Sequence, residues 1–370
     1  MNNKTKSLVL SGAAVALATP MSSALALDDV LSFGAWVNYT YNVDNDASED
    51  RLGDIDFPAF IIYANHEHGD WFFDSELRYG SGSFQDFSGP NNEGDVQQSW
   101  GFKELAFGRH YGEEWTMTLG LTDVPFTTSR INFWPGERMT SGFGDQENVG
   151  IRFDHQPVNA AWDMSLMFAK SQNWGTDTTS QDDGTLAHWG KNENPYMEYD
   201  EDTYHKINTL IGDFGVTQGD FRHGVSVQAG QLADIDDPSE TETHFALGVY
   251  TEGSVGDLDV QGQFVHYDQG DVNDLSNDYD TQGAGQVGSL GIGSAFGNWY
   301  TYGDLSARFP DSDRVNDDTQ MDLVLGASYD YGPGWIYPEI LLENITDEED
   351  GAGGSDEFSQ TISLTMDYYF

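Results

Sequence analysis

The last thirteen residues, Phe358-Ser-Gln-Thr-Ile-Ser-Leu-Thr-Met-Asp-Tyr-Tyr-Phe370, alternate with a period of two. Ile362, Leu364, Met366, Tyr368 and Phe370 fall on one face of an extended chain, and Thr361, Ser363, Thr365, Asp367 and Tyr369 on the other. Successive side chains of a strand point to opposite faces, so the segment reads as a strand with one apolar and one polar face. In a soluble sandwich the apolar face would be core. In a membrane-spanning barrel it would face lipid, and the polar face would line the lumen.

The rest of the chain decides between these. The same alternation recurs in segments of about 9 to 12 residues, the length a tilted strand needs to cross a bilayer. Outward faces read as Trp71-Phe73-Leu77-Tyr79, Val149-Ile151-Phe153, Trp162-Met164-Leu166-Phe168, Phe245-Leu247-Val249 and Met321-Leu323-Leu325-Ala327-Tyr329. Their partner faces are small or charged, such as Asp74-Glu76-Arg78 and Gly150-Arg152-Asp154, and a soluble core would not hold so many charges in mid-strand. About sixteen segments follow, at 30–42, 57–65, 70–80, 98–109, 113–122, 147–155, 158–170, 203–213, 221–231, 243–252, 257–268, 285–295, 298–308, 319–331, 335–345 and 357–370, an even count that suits a bacterial barrel. The fold class is all-β, a transmembrane antiparallel β-barrel. Short connections at 65–70, 110–113, 155–158, 252–257, 295–298 and 331–335 are expected on the periplasmic rim, and long ones outside the cell. The long ones are acidic: 43–56 holds six carboxylates against Arg51, and 345–357 holds six with no base.

Composition agrees with an ordered chain far from any polyanion. Fifteen Lys+Arg stand against 63 Asp+Glu, a net charge of −48 that excludes nucleic acid as a partner. Twenty-two Phe, 18 Tyr and 10 Trp are too many aromatics for a disordered chain, and the absence of Cys excludes disulfides and thiol chemistry. Lys4 and Lys6 precede the apolar run Leu8 to Ala18, and Ala24-Leu25-Ala26 forms a small-x-small site, so residues 1–26 read as a signal peptide. The alternative, a membrane anchor, would need a longer apolar run. Cleavage after Ala26 leaves 344 of the 370 residues, one barrel domain over 27–370, with 13 bases against 63 acids and a net charge of −50.

The leader, the alternating strands and the terminal aromatic together resemble a Gram-negative outer-membrane porin of the sixteen-stranded type. That resemblance implies a water-filled channel for passive diffusion of small hydrophilic solutes and ions. It also implies a homotrimer among outer-membrane lipid and lipopolysaccharide, and a barrel assembly machinery that reads Phe370, Tyr368 and Met366. Residues 122–146, with Trp134-Pro-Gly-Glu137 and Gly142-Phe-Gly-Asp145, resemble the third loop that folds into the lumen of such barrels, although the family's acidic tetrad is only partly matched. By strand parity Arg78, Arg152, Arg222 and Arg308 point inward, as do Asp74, Glu76, Asp163, Asp259, Asp304, Asp322 and Glu339. The resemblance places Arg78, Arg152 and Arg222 opposite Asp123, Glu137 and Asp145, with Arg130 and Arg138 as bases carried on the loop. The alternative is that each arginine pairs with a neighbouring carboxylate and has no selective role. The acid excess predicts a cation-preferring channel at low salt. The same excess resembles the proteins of halophiles.

Other functions stay open. Phe126, Phe133, Trp134 and Phe143 could form a slide for sugar rings in a substrate-selective channel, or could anchor the loop to the wall. An outer-membrane hydrolase and a secreted soluble β-protein such as a lectin are further alternatives. Neither a Gly-x-Ser-x-Gly elbow nor a His-Glu-x-x-His motif occurs. His66-Glu67-His68 reads as a solvated turn, and no cofactor is expected. The acidic runs Asp44-Asn-Asp46 and Asp234-Ile-Asp236-Asp237 suit adventitious or lipopolysaccharide-bridging Ca²⁺ or Mg²⁺.

Overall fold

The computed structural model describes residues 30–43, 53–80, 99–128, 131–133, 146–171, 204–234, 241–268, 284–311, 319–345 and 358–370. Residues 1–29, with the expected leader 1–26, and most of the acidic loop residues lie outside them. The described chain forms β1 (Leu31–Asn42), β2 (Asp54–Ala64), β3 (His66–His68), β4 (Trp71–Gly80), β5 (Ser99–Tyr111) and β6 (Trp115–Asp123). It continues through β7 (Glu147–His155), β8 (Trp162–Ser171), β9 (Tyr204–Gln218), β10 (Phe221–Asp234), β11 (Thr241–Val255) and β12 (Leu258–Asp268). The last five are β13 (Ala284–Phe296), β14 (Trp299–Pro310), β15 (Gln320–Asp330), β16 (Trp335–Glu343) and β17 (Ser359–Tyr369). Each strand pairs antiparallel with the next, and β1 pairs with both β2 and β17, which closes the sheet. β3 continues β2 past Asn65 against the same neighbour, β4, so the barrel has sixteen staves.

All sixteen expected segments are strands, with two corrections at the short turns. The expected turn 65–70 contracts to Gly69-Asp70, because His66, Glu67 and His68 pair with Phe73, Phe72 and Trp71. The expected gap between 213 and 221 contracts to Gly219-Asp220, because β9 runs on to Gln218. Gly69, Gly219, Gly256 and Gly297 each have φ between 62° and 68° and each opens a two-residue turn. Only glycine takes that first turn position without steric cost, and its twist matches the flanking strands.

Alternation holds around the wall. Ile362, Leu364, Met366, Tyr368 and Phe370 are exposed on the outer face, while Ser363, Thr365 and Asp367 are buried on the inner one. Trp71, Trp115, Trp162 and Trp299 each begin the strand that follows a short turn, and all four are exposed, an aromatic girdle at that rim. A bulge in β9 interrupts the parity: Gly230 sits opposite two residues, and Asn208 takes φ 47°. The slip turns Lys206 and Ile211 inward although their numbers differ in parity, and both are fully buried.

Candidate functional site

After β6 the chain turns into the barrel. Val124 N donates to Gln146 O at 2.8 Å, closing the base of the segment between β6 and β7. From there residues 126–128 and 131–133 lie along the inner wall, against β10, β11, β13, β14 and β16. Thr127 N donates to Ser226 Oγ at 2.9 Å, and Thr128 Oγ1 to Glu252 Oε2 at 2.9 Å. Asn132 Nδ2 donates to Asp304 Oδ2 at 2.7 Å, and Phe133 N to Glu339 Oε1 at 2.9 Å. Tyr302 O–H donates to the same Glu339 oxygen at 2.7 Å. Neutral donors of the segment thus meet carboxylates of the wall. Hydrogen bonds to ionised acceptors are the stronger kind, so three of these contacts outweigh ordinary loop bonds.

Apolar contacts fix the same path. Val124 and Phe126 are buried with Met167, Ile211, Val265 and Val287, which come from the inner faces of β8, β9, β12 and β13. Here the inner face is apolar, against the expectation of a polar lumen, because the inward segment covers it. Phe133 stacks on Tyr337 with ring centroids 4.0 Å apart and meets Trp36 edge-on at 5.7 Å. Glycines let the segment lie close: a Cβ at Gly248 would strike Thr127, and one at Gly291 would come within 2.7 Å of Ile131.

The arginines are on the inner wall, and each pairs with a carboxylate of the wall itself. Arg78 is buried, pairs with Glu76 Oε1 at 2.5 Å and lies over Trp36 at 4.7 Å. Arg152 pairs with Asp154 Oδ1 at 2.8 Å and donates to the backbone carbonyl of Asp123 at 3.1 Å. Arg222 pairs with Asp163 at 2.6 Å and Asp213 at 2.8 Å, and reaches Glu252 at 3.6 Å. Arg222 also lies over the Tyr250 ring at 5.0 Å and hydrogen-bonds its hydroxyl. Tyr250 O–H donates to Asp213 at 2.9 Å, as does Ser226 Oγ at 2.6 Å. Gly224 makes room for this cluster, since a Cβ there would run into the Tyr250 ring.

The three arginines do not form one ring. Arg78 lies near the long-loop end of β4, whereas Arg222 follows directly on the short turn before β10. Arg130, Glu137, Arg138 and Asp145, with Trp134 and Phe143, lie outside the described residues. Asp304, Asp322 and Glu339 point inward as expected and are almost completely buried, together with Asp367, which strand parity also puts on that face. Phe126 is packed into the wall and Phe133 stacks on Tyr337. Among the described residues no group of three His, Asp or Glu is arranged to hold a metal ion, and His66, Glu67 and His68 are exposed. The inward glycines and the inner apolar residues that receive the segment escaped the sequence reading.

No family model and no curated protein matches the chain. Solved structures do. The outer membrane channel DcaP of Acinetobacter baumannii superposes with a TM-score of 0.59 at 13% identity, over 92% of this chain and 96% of that one. The anion-selective porin of Comamonas acidovorans gives 0.56 at 11%, over 92% and 98%. The trimer form of OmpT, an outer membrane protein of Vibrio cholerae, gives 0.54 at 11%, also over 92% and 98%. The chain has the fold of the outer-membrane porins.

Proposed function

We propose that this protein is an outer-membrane porin, a water-filled channel through which small hydrophilic solutes and ions diffuse passively, with a preference for cations at low salt. The observation that carries the reading is the pairing of an apolar outer surface with an inner wall on which Thr128, Asn132 and Phe133 are held by Glu252, Asp304 and Glu339. A closed sixteen-stave barrel is wide enough for a lumen, and a segment laid inside narrows it. Support for cation preference comes from the wall. Around Arg222 three carboxylates face one guanidinium, and Asp304, Asp322, Glu339 and Asp367 add to the excess. Carboxylates along a low-dielectric wall concentrate cations and exclude anions.

In this reading the short turns face the periplasm, the long acidic loops face outward, and the channel is not an enzyme. The protein forms a trimer, as the Vibrio cholerae neighbour does. Arg78, Arg152 and Arg222 offset the carboxylates they pair with. The test is the reversal potential of the folded protein in a planar bilayer under a KCl gradient, at 0.1 M and at molar salt. The expected sign is cation-selective at 0.1 M, fading as salt screens the wall. Anion selectivity at low salt would refute the preference, and absence of any conductance would refute the channel.

A further inference from the structure

The cluster at Arg222 shows what one part of this wall binds. There a guanidinium lies over the face of Tyr250 while Asp213 accepts from both the guanidinium and the tyrosine hydroxyl. The combination recurs at Arg78, which lies over Trp36 and pairs with Glu76. An aromatic face carries a negative quadrupole, and a carboxylate beside it supplies a full charge, so the two together suit a flat cation.

A third combination of the same make stands at the short-turn rim. Tyr300 is the second residue of β14 and Asp259 the second of β12, the place that Arg222 holds in β10. The Tyr300 hydroxyl lies over Gly293, the register partner of Asp259, and Ser254 Oγ donates to Asp259 Oδ1 at 2.7 Å. The ring is laid along the wall across Gly293, where a Cβ would strike its hydroxyl end. Both residues are half-exposed. Among the described residues no lysine or arginine pairs with Asp259, so the cation present beside Asp213 and beside Glu76 has no counterpart here.

We propose that Tyr300 and Asp259 form a binding subsite at the short-turn mouth of the lumen for solutes bearing a planar amidinium or guanidinium group. The inference rests on the channel reading above and narrows its solute class. A permeating cation of this kind stacks on Tyr300, pairs with Asp259 and is retained there before it leaves the pore. The neighbouring acids Asp163, Asp213 and Glu252 are engaged by Arg222. Asp259 is not engaged in this way and is offered to a mobile cation.

The test uses the full mature chain in planar bilayers, with KCl current as the first readout and benzamidinium chloride as the probe. Benzamide carries the same ring without charge, and benzoate the same ring with the opposite charge. The expected result is a saturating loss of K⁺ current with benzamidinium alone. Replacing Asp259→Asn or Tyr300→Ala is expected to raise the half-blocking concentration about tenfold, the effect of losing one such contact, while Tyr300→Phe stays close to wild type. The proposal is overturned if the pore conducts K⁺ but benzamidinium does not block it, if benzamide blocks equally, or if both substitutions leave block unchanged. Should Asp259→Asn not fold, the three probes on the wild-type pore decide the matter alone. A protein that conducts no KCl would instead overturn the channel reading.

Discussion

Phe370 and Phe33 exchange two backbone hydrogen bonds of 2.9 Å, each N–H to the other's carbonyl, and their rings stack at 5.6 Å on the outer face. The chain's last residue thus closes the barrel against the start of β1. Removing the aromatic ring takes away that stack, worth about 1 kcal/mol beyond buried area, at the one seam where the first and last strands must find each other. The variant Phe370→Ser is therefore expected to lower the yield of folded barrel more than Met366→Ala does. Heat-modifiable mobility on gels after refolding into lipid vesicles measures this. Equal yields would deny the terminal ring a role in closure.

Asn132 holds the inward segment to β14 through Asp304. Its Nδ2 lies 2.7 Å from Asp304 Oδ2, and its backbone N lies 3.4 Å from the same oxygen. In Asn132→Ala the backbone contact can persist, but the buried carboxylate loses one close donor, a loss of about 2 kcal/mol at an ionised acceptor. The segment should then detach more often. Single-channel records of the variant are expected to show added open-channel noise and a higher mean conductance, and a trace indistinguishable from wild type would show that Asp304 does not hold the segment.

Gly224 lies under the Tyr250 ring, so Gly224→Ala forces that ring off the wall. Tyr250 would leave Asp213, and Arg222 would lose the face it covers. Overpacking of this kind costs about 1–3 kcal/mol. The variant should unfold at lower urea than Gly212→Ala, where a Cβ meets nothing nearer than 3.8 Å. Equal midpoints would mean that the cluster relaxes freely.

These relationships mark how far the sequence could be read. Strand parity was legible wherever alternation ran unbroken, as in Ile362 to Phe370, because each residue there has one face to choose. The turn at Gly219-Asp220 was legible in principle. Gly-Asp or Gly-Asn followed by a large apolar residue marks the turns Gly69-Asp70-Trp71, Gly219-Asp220-Phe221, Gly256-Asp257-Leu258 and Gly297-Asn298-Trp299, but Gly212-Asp213-Phe214 carries the same pattern inside β9, and strand length is needed to tell the two apart. The partners of the arginines were not legible. Arg222 meets Asp163 and Asp213 through the register of three strands, and no local pattern specifies that. Nor could alternation reveal why Met167, Ile211, Val265 and Val287 face inward, since the reason is Phe126, brought to them from another part of the chain.

Fifteen bases against 63 acids make salt a determinant of both stability and selectivity. A net charge of −48 repels itself in dilute buffer, and folding brings like charges closer together. Screening shortens the reach of that repulsion from about 10 Å at 0.1 M salt to about 3 Å at 1 M. The pairs around Arg222 are half-buried and in contact, so screening weakens them far less than it weakens the repulsion among exposed carboxylates. The urea midpoint of the refolded barrel is therefore expected to rise between 0.1 and 1 M NaCl, while the cation preference measured by reversal potential falls over the same interval. Both follow from one charge distribution, so they should change together. A midpoint that stays flat while selectivity fades would mean that the loop carboxylates are already neutralised by bound cations, and titration of the folded protein with a divalent chelator would then lower the midpoint at either salt.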